Sequence, residues 1–221
     1  MCISQLSLKP PHTIATLNPR YPAPYINPKA LETVKDFTVL ISDEGMGGVS
    51  RGTGIVLNST QVLTCAHMLP NPGSEMWIYT HPVSVVRIGT VQYFDRFKDL
   101  ALIGVTPPIV LSHYPTIQSF HEVGEPIIVV GNILGSMQWF TSYGIIANTY
   151  GGFLLTDALI HGGNSGGPWL NYQGDVIGLT DWKYELDGKD TGIGGGISGS
   201  TIKQFLNDAK HPNLLQMLFG G

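Results

Sequence analysis

Charge is scarce in this chain. Of its 221 residues only 12 are Lys or Arg and 16 are Asp or Glu, a charged fraction of 13% against about 25% in an ordinary soluble protein. Together with 43% hydrophobic residues, this excludes a solvated disordered chain. A net charge of −4 provides no basic footprint, so no nucleic-acid partner is expected. No apolar run approaches the ~20 residues that span a bilayer, and no membrane segment is expected. Cysteine is nearly absent: Cys2 and Cys65 cannot build a disulfide framework. The opening residues, from Met1 to Pro11, lack a basic stretch followed by an apolar one, so the expected location is intracellular, in the cytoplasm. The seven histidines show no HxxxH or HExxH spacing, and neither a metal nor an organic cofactor is expected.

Glycine and proline, by contrast, are plentiful, at 28 and 15 residues, which favours frequent turns over long helices. Six prolines (Pro10, Pro11, Pro19, Pro22, Pro24, Pro28) give residues 10–28 the character of an extended arm. A short helix, Ala30 to Lys35, is expected after it. Strand-length runs rich in β-branched and aromatic residues then begin: Phe37–Ile41, Gly54–Leu57, Gln61–Thr64, Met76–Thr80, Ser84–Phe94 and Leu100–Val105. Six more follow a proline-bearing linker: Pro126–Val130, Gln138–Thr149, Phe153–Thr156, Pro168–Leu170, Asp175–Thr180 and Gly194–Ile197.

Six runs, a linker and six runs predict an all-β chain of two packed six-stranded antiparallel barrels, an arrangement that removes exposed strand edges. A helix at Thr201–Ala209, with Ile202, Phe205 and Leu206 on one face and Ser200 as its cap, closes the pattern. The expected division is an arm and short helix at 1–36, a first barrel at 37–106, a linker at 107–124, a second barrel at 125–200, and a helix with an apolar tail at 201–221.

Three local signals occur in order. Thr64-Cys65-Ala66-His67 is a strand that stops at a histidine, Asp99-Leu100-Ala101-Leu102 an acid opening an apolar strand, and Gly163-Asn164-Ser165-Gly166-Gly167-Pro168 a serine in a tight glycine turn. Singly each has a plain structural explanation. Jointly they suit nucleophilic catalysis, in which a serine hydroxyl needs a neighbouring base and the base needs a carboxylate to hold its tautomer. The tetrahedral oxyanion needs converging donors, which backbone N–H groups in a glycine turn can supply, with Gly163, Asn164 and Ser165 the candidates. Asp95, four residues before Asp99, is a second candidate acid. Cys65 reads as a small core residue.

These motifs resemble the trypsin-like serine proteases of chymotrypsin fold, most of all the HtrA/Deg branch. The similarity is carried by Leu155-Thr156-Asp157-Ala158, Gly163 to Pro168, Gly174-Asp175-Val176-Ile177-Gly178 and Gly192-Ile193-Gly194, within a resemblance spanning residues 37 to 209. It implies Ser165 as nucleophile, His67 as general base and then acid, and Asp99, ahead of Asp95, as the orienting carboxylate.

The resemblance also implies a specificity pocket with Leu159 at its base, bordered by His161, Asp181-Trp182-Lys183 and Gly194-Gly195, suited to small or medium apolar side chains. The alignment leaves Thr180 and Asp181 as alternatives for the residue beside Asp99. Gly162 replaces the proline usual in that branch and is expected to loosen the oxyanion loop. Asn164 stands where digestive relatives carry the aspartate that pairs with a newly cut N-terminus, and no PDZ domain is expected after the last helix. The implied activity is a serine endopeptidase acting on protein or peptide substrates, with Tyr21 and Tyr25 of the arm as candidate contacts for self-association. A catalytically silent protease-fold scaffold for peptide binding is the alternative.

Overall fold

A computed structural model describes residues 27–43, 50–81, 85–133 and 137–211. The proline-rich stretch with Tyr21 and Tyr25, and the apolar tail, lie outside the described residues. The chain enters through helix α1 (Pro28–Phe37), longer than the six residues expected. The Asn27 side chain accepts from the Lys29 N–H, and Pro28 occupies the first turn, where a missing N–H costs nothing. Ala30, Val34 and Phe37 are its buried face.

Strands β1 (Thr38–Ser42), β2 (Ser50–Asn58), β3 (Gln61–Cys65), β4 (Glu75–Thr80), β5 (Val85–Asp95) and β6 (Leu100–Thr106) close into a barrel in the order β1-β2-β3-β6-β5-β4. After the linker, β7 (Pro126–Ile133), β8 (Met137–Tyr150), β9 (Phe153–Thr156), β10 (Pro168–Leu170), β11 (Val176–Leu186) and β12 (Lys189–Ser198) close a second, ordered β10-β11-β12-β9-β8-β7. All twelve strands pair antiparallel. The all-β, two-barrel class expected from the run pattern is therefore the observed one.

The β11–β12 hairpin is longer than expected. The expected strands stop at Thr180 and resume at Gly194, because the outer half of the ribbon is exposed on both faces and carries no buried stripe. Its turn is Asp187-Gly188, both at positive φ (52° and 72°), the two-residue chemistry that suits the twist of paired strands.

Helix α2 (Gly199–Lys210) follows β12. Its cap is Ser198, whose hydroxyl accepts from the Thr201 N–H, and not Ser200. Ile202 and Phe205 are its fully buried residues, and the Phe205 ring lies 5.4 Å from that of Tyr93 on β5. The last helix thus packs back onto the first barrel.

The barrels meet through polar contacts that need both halves. Asn132 Nδ2 on β7 donates to the Val39 carbonyl, and Trp139 Nε1 on β8 to that of Thr38, at 3.1 and 3.0 Å. The loops at this junction bring the three sequence signals together.

Candidate active site

His67 sits in a single 3-10 turn (Ala66–Met68) where β3 ends. Its N–H donates to Asp99 Oδ1 at 2.7 Å, and its Nδ1 lies 2.5 Å from Asp99 Oδ2. Asp99 adopts φ 51°, a left-handed geometry that aspartate tolerates better than most residues, and it turns the carboxylate back over the end of β3 just before β6 starts. Ala66 N–H donates to the Asp99 carbonyl, so main chain and side chain both hold the pair together.

Asp95 is elsewhere. Its carboxylate accepts from the Phe97 and Lys98 N–H groups and from Lys98 Nζ at 2.7 Å, and Lys98 Nζ also reaches Asp208 on α2 at 3.1 Å. Of the two candidate acids, Asp99 is the one placed against His67.

Ser165 lies in the loop between β9 and β10, and the first barrel braces that loop. Thr53 N–H on β2 donates to the Ser165 carbonyl at 2.9 Å, and Thr53 Oγ1 to the Gly163 carbonyl at 2.8 Å. These two bonds tie the carbonyls of Gly163 and Ser165, just after Gly162, to the first barrel. Gly166 and Gly167 are required by crowding. A Cβ at Gly166 would stand 2.0 Å from the Thr53 carbonyl oxygen, and one at Gly167 2.1 Å from that of Val130.

Gly163 has φ 96°. The Asn164 N–H is taken by the His161 carbonyl at 3.0 Å, which corrects its assignment as an oxyanion donor. Among the described residues, no backbone acceptor takes the N–H of Gly163 or Ser165. Ser165 Oγ donates to the Asp181 carbonyl at 3.2 Å. No bond from it to His67 forms among the described residues, and such contacts commonly tighten only when substrate is bound.

The structure also decides between Thr180 and Asp181. Thr180 is wholly buried, and its hydroxyl accepts from Trp169 Nε1. Asp181 is the residue that faces the pair, its Oδ1 being 3.7 Å from His67 Nδ1. Its place as a wall of the specificity pocket is therefore corrected.

The electrostatics follow from these positions. The hydrogen bond that His67 donates to Asp99, helped by the charges of Asp99 and Asp181, holds His67 above the usual imidazole range, against the opposing effect of burial. Burial works to raise Asp99, but hydrogen bonds from His67 and Asp181 outweigh it and keep Asp99 low. Asp181 is pushed up to about 7, first by burial, then by its hydrogen bond to Asp99 and the Asp99 charge. Burial, then the two carboxylates, raise Cys65, whose thiol donates to the Thr180 carbonyl. One side-chain atom of each of Cys65, His67, Asp99 and Asp181 lies within 4.8 Å of the other three.

The remaining expected site residues separate into two groups. Leu159, Lys183 and Gly194 line a cleft of about 270 Å³ shared with Asp157, Ala158, Ile160, Asp190, Gly192 and Ile193. Gly194 leaves its Cβ space to the Ile160 side chain, and Gly195 to the Trp182 ring. His161 is exposed, its ring set edge-on to Phe140 at 6.2 Å. It is not part of the cleft lining, and neither are Trp182 and Gly195. Ile160 and Ile193 were missed. Ile160 is a hydrophobic neighbour of Leu159, and Ile193 lies within the Gly192-Ile193-Gly194 motif that carries the resemblance.

Comparison with known proteins agrees with this geometry. The chain is 32% identical over 177 residues to serine protease HTRA4 of Mus musculus, covering 72% of this chain and 34% of that protein. It is 33% identical over 118 residues to the periplasmic serine endoprotease DegP of Escherichia coli, covering 49% of this chain and 25% of DegP. It thus spans about a third or less of the length of these curated relatives. A serine endoprotease from Yersinia pestis shares the fold, with a TM-score of 0.71 at 23% identity over 87% of this chain and 68% of that one. The family model of the trypsin-like peptidase domain matches residues 52–179, which takes in His67, Asp99 and Ser165, and the chain belongs to that family.

Proposed function

We propose that this domain is a serine endopeptidase that cleaves peptide bonds through an acyl-enzyme on Ser165. The observation that carries the reading is the His67 imidazole bound through Nδ1 to Asp99, at a junction where Ser165 stands in a glycine turn and, among the described residues, no backbone acceptor takes the N–H of Gly163 or Ser165. With Nδ1–H donating to Asp99, Nε2 is left as the acceptor and can serve as the base. Ser165 Oγ attacks the scissile carbonyl carbon while Nε2 takes its proton. Gly163 and Ser165 N–H receive the oxyanion. The imidazolium then protonates the leaving amine, the C–N bond breaks, and water repeats the sequence to release the acid and restore Ser165.

The cleft supports a preference for small or medium apolar residues on the acyl side of the cut. Its charged groups are already engaged: Asp157 Oδ1 accepts from the Ile145 N–H, and Lys183 pairs with Glu185 and Asp190 at 2.8 and 3.5 Å. Leu159, Ile160 and Ile193 supply apolar surface. A basic side chain would find its charge poorly matched there, whereas an aliphatic one gains about 1–3 kcal/mol from burial. Peptides matched except at that position are expected to show higher kcat/KM for Val, Ala, Leu or Met. A preference for Lys or Arg would hand the pocket to Asp157 or Asp190.

A fluorophosphonate probe tests the chemistry itself. The wild type is expected to label and Ser165→Ala to stay unlabelled with its fold intact. No labelling of wild type between pH 6 and 9 would favour the peptide-binding scaffold.

A further inference from the structure

Asp181 is a position in β11 that has no partner in β12. Thr180 pairs with Gly196 and Trp182 with Gly195, so Asp181 is the extra residue of a β-bulge. Bulges interrupt the alternation of side chains and re-aim the residue they insert. Here the inserted residue makes two contacts with the site. Its carbonyl accepts from Ser165 Oγ, and its carboxyl lies within 4.8 Å of that of Asp99 and 3.7 Å from His67 Nδ1. The Asp181 side chain is only 11% exposed, so water does little to screen it. Two carboxylates in contact cannot both ionise cheaply, and the pair retains a proton well above the ordinary carboxylate range.

We propose that Asp181 is a positioning residue whose carboxyl shares a proton with Asp99 and holds the His67 imidazole from a second side. The charge facing the base is then set by how many protons the Asp99–Asp181 pair carries. With the proton in place, Asp181 donates to Asp99, and His67 faces one negative charge. When the proton leaves, His67 faces two and releases its own proton at higher pH. The groups facing Asp181 are Asp99 at the start of β6, His67 after β3 and Cys65 at the end of β3. None of them is a fixed cation, so no permanent positive charge cancels the second negative one.

The inference rests on the reading of His67 as the base, but its decisive measurement does not need turnover. In a chelator-containing buffer, the His67 imidazole is titrated by NMR in protein labelled at the histidine ring carbons, with His67→Ala identifying the resonance. Asp181→Asn keeps the shape and removes the charge, and is expected to lower the His67 midpoint by about 1–3 pH units. Asp181→Glu restores a carboxyl and is expected to return the midpoint most of the way. If peptide hydrolysis is present, the acid limb of its pH profile moves with the NMR midpoint in each variant. A His67 midpoint unchanged in Asp181→Asn would overturn the role of Asp181. Absence of both hydrolysis and fluorophosphonate labelling in wild type, with the midpoint still shifted by Asp181→Asn, would overturn the protease reading alone.

Discussion

Two acidic clusters lie within a few residues of each other and behave in opposite ways. Asp95 is paired with a cation. Lys98 Nζ sits 2.7 Å from it and 3.1 Å from Asp208, tying the β5–β6 turn to α2. Burial works to raise Asp95, but the bonds and charge of Lys98 outweigh it, and its carboxyl stays ionised. Asp181 is paired with another acid, and burial together with the bond to Asp99 and its charge pushes it up to about 7. Both side chains are 11% exposed, so depth alone does not separate them. The partner does. A carboxylate beside a lysine serves as a fastener, whereas one beside a second carboxylate and an imidazole becomes a group that titrates in the working range.

The largest break in this comparison comes from removing one charge on each side. Asp99→Asn is expected to cost on the order of 10⁴ in kcat by favouring the wrong imidazole tautomer. Asp95→Asn is expected to leave kcat within about threefold and to cost about 1 kcal/mol of stability. Peptide hydrolysis and urea unfolding of the two variants check both. A 10⁴-fold loss in Asp95→Asn, with Asp99→Asn active, would reverse the assignment.

A smaller and more discriminating effect lies in the pH dependence of stability. Asp95 and Asp99 are held below their unfolded values, so their contribution is present above about pH 4 and is lost as the pH falls through their folded values. Asp181 runs the other way. Between about pH 4 and about 7 the folded state keeps a proton that the unfolded chain has released, so stability declines as the pH rises. His67, raised in the folded state, contributes stability below about pH 6.5 that is likewise lost as the pH rises through its folded value. Thermal melts across pH 3 to 8 are expected to show a flatter neutral limb in Asp181→Asn and a shallower acid limb in Asp95→Asn. Identical profiles for the two variants would remove the distinction drawn here.

The smallest expected change is at Lys98 itself. Lys98→Met leaves Asp95 and Asp208 without their shared cation at a partly exposed position, at a cost of about 1 kcal/mol and no shift in the His67 midpoint. A shifted midpoint would mean that the turn and the site are coupled more closely than their separate partners imply.

Much of this protein was written in local pattern. Runs of β-branched residues spaced by turns announced twelve strands, and two closed barrels are the arrangement that leaves such strands no edge. The glycine turn around Ser165 was legible because crowding against Thr53 and Val130 admits no Cβ at Gly166 or Gly167. The Asp187-Gly188 turn lies in an exposed ribbon that carries no buried stripe, so the run pattern does not extend to the strands around it.

Asp95 and Asp99 are the same residue type four positions apart. Which one meets His67 depends on how the start of β6 lies against the end of β3, a pairing of residues more than thirty positions apart. Thr180 and Asp181 were undecidable for a sharper reason. Strand alternation has a period of two, so a single bulge exchanges inward and outward faces for every residue after it. No local signal marks that insertion in β11. Only the pairing of Thr180 with Gly196 and Trp182 with Gly195, across a closed barrel, turns Asp181 toward the histidine.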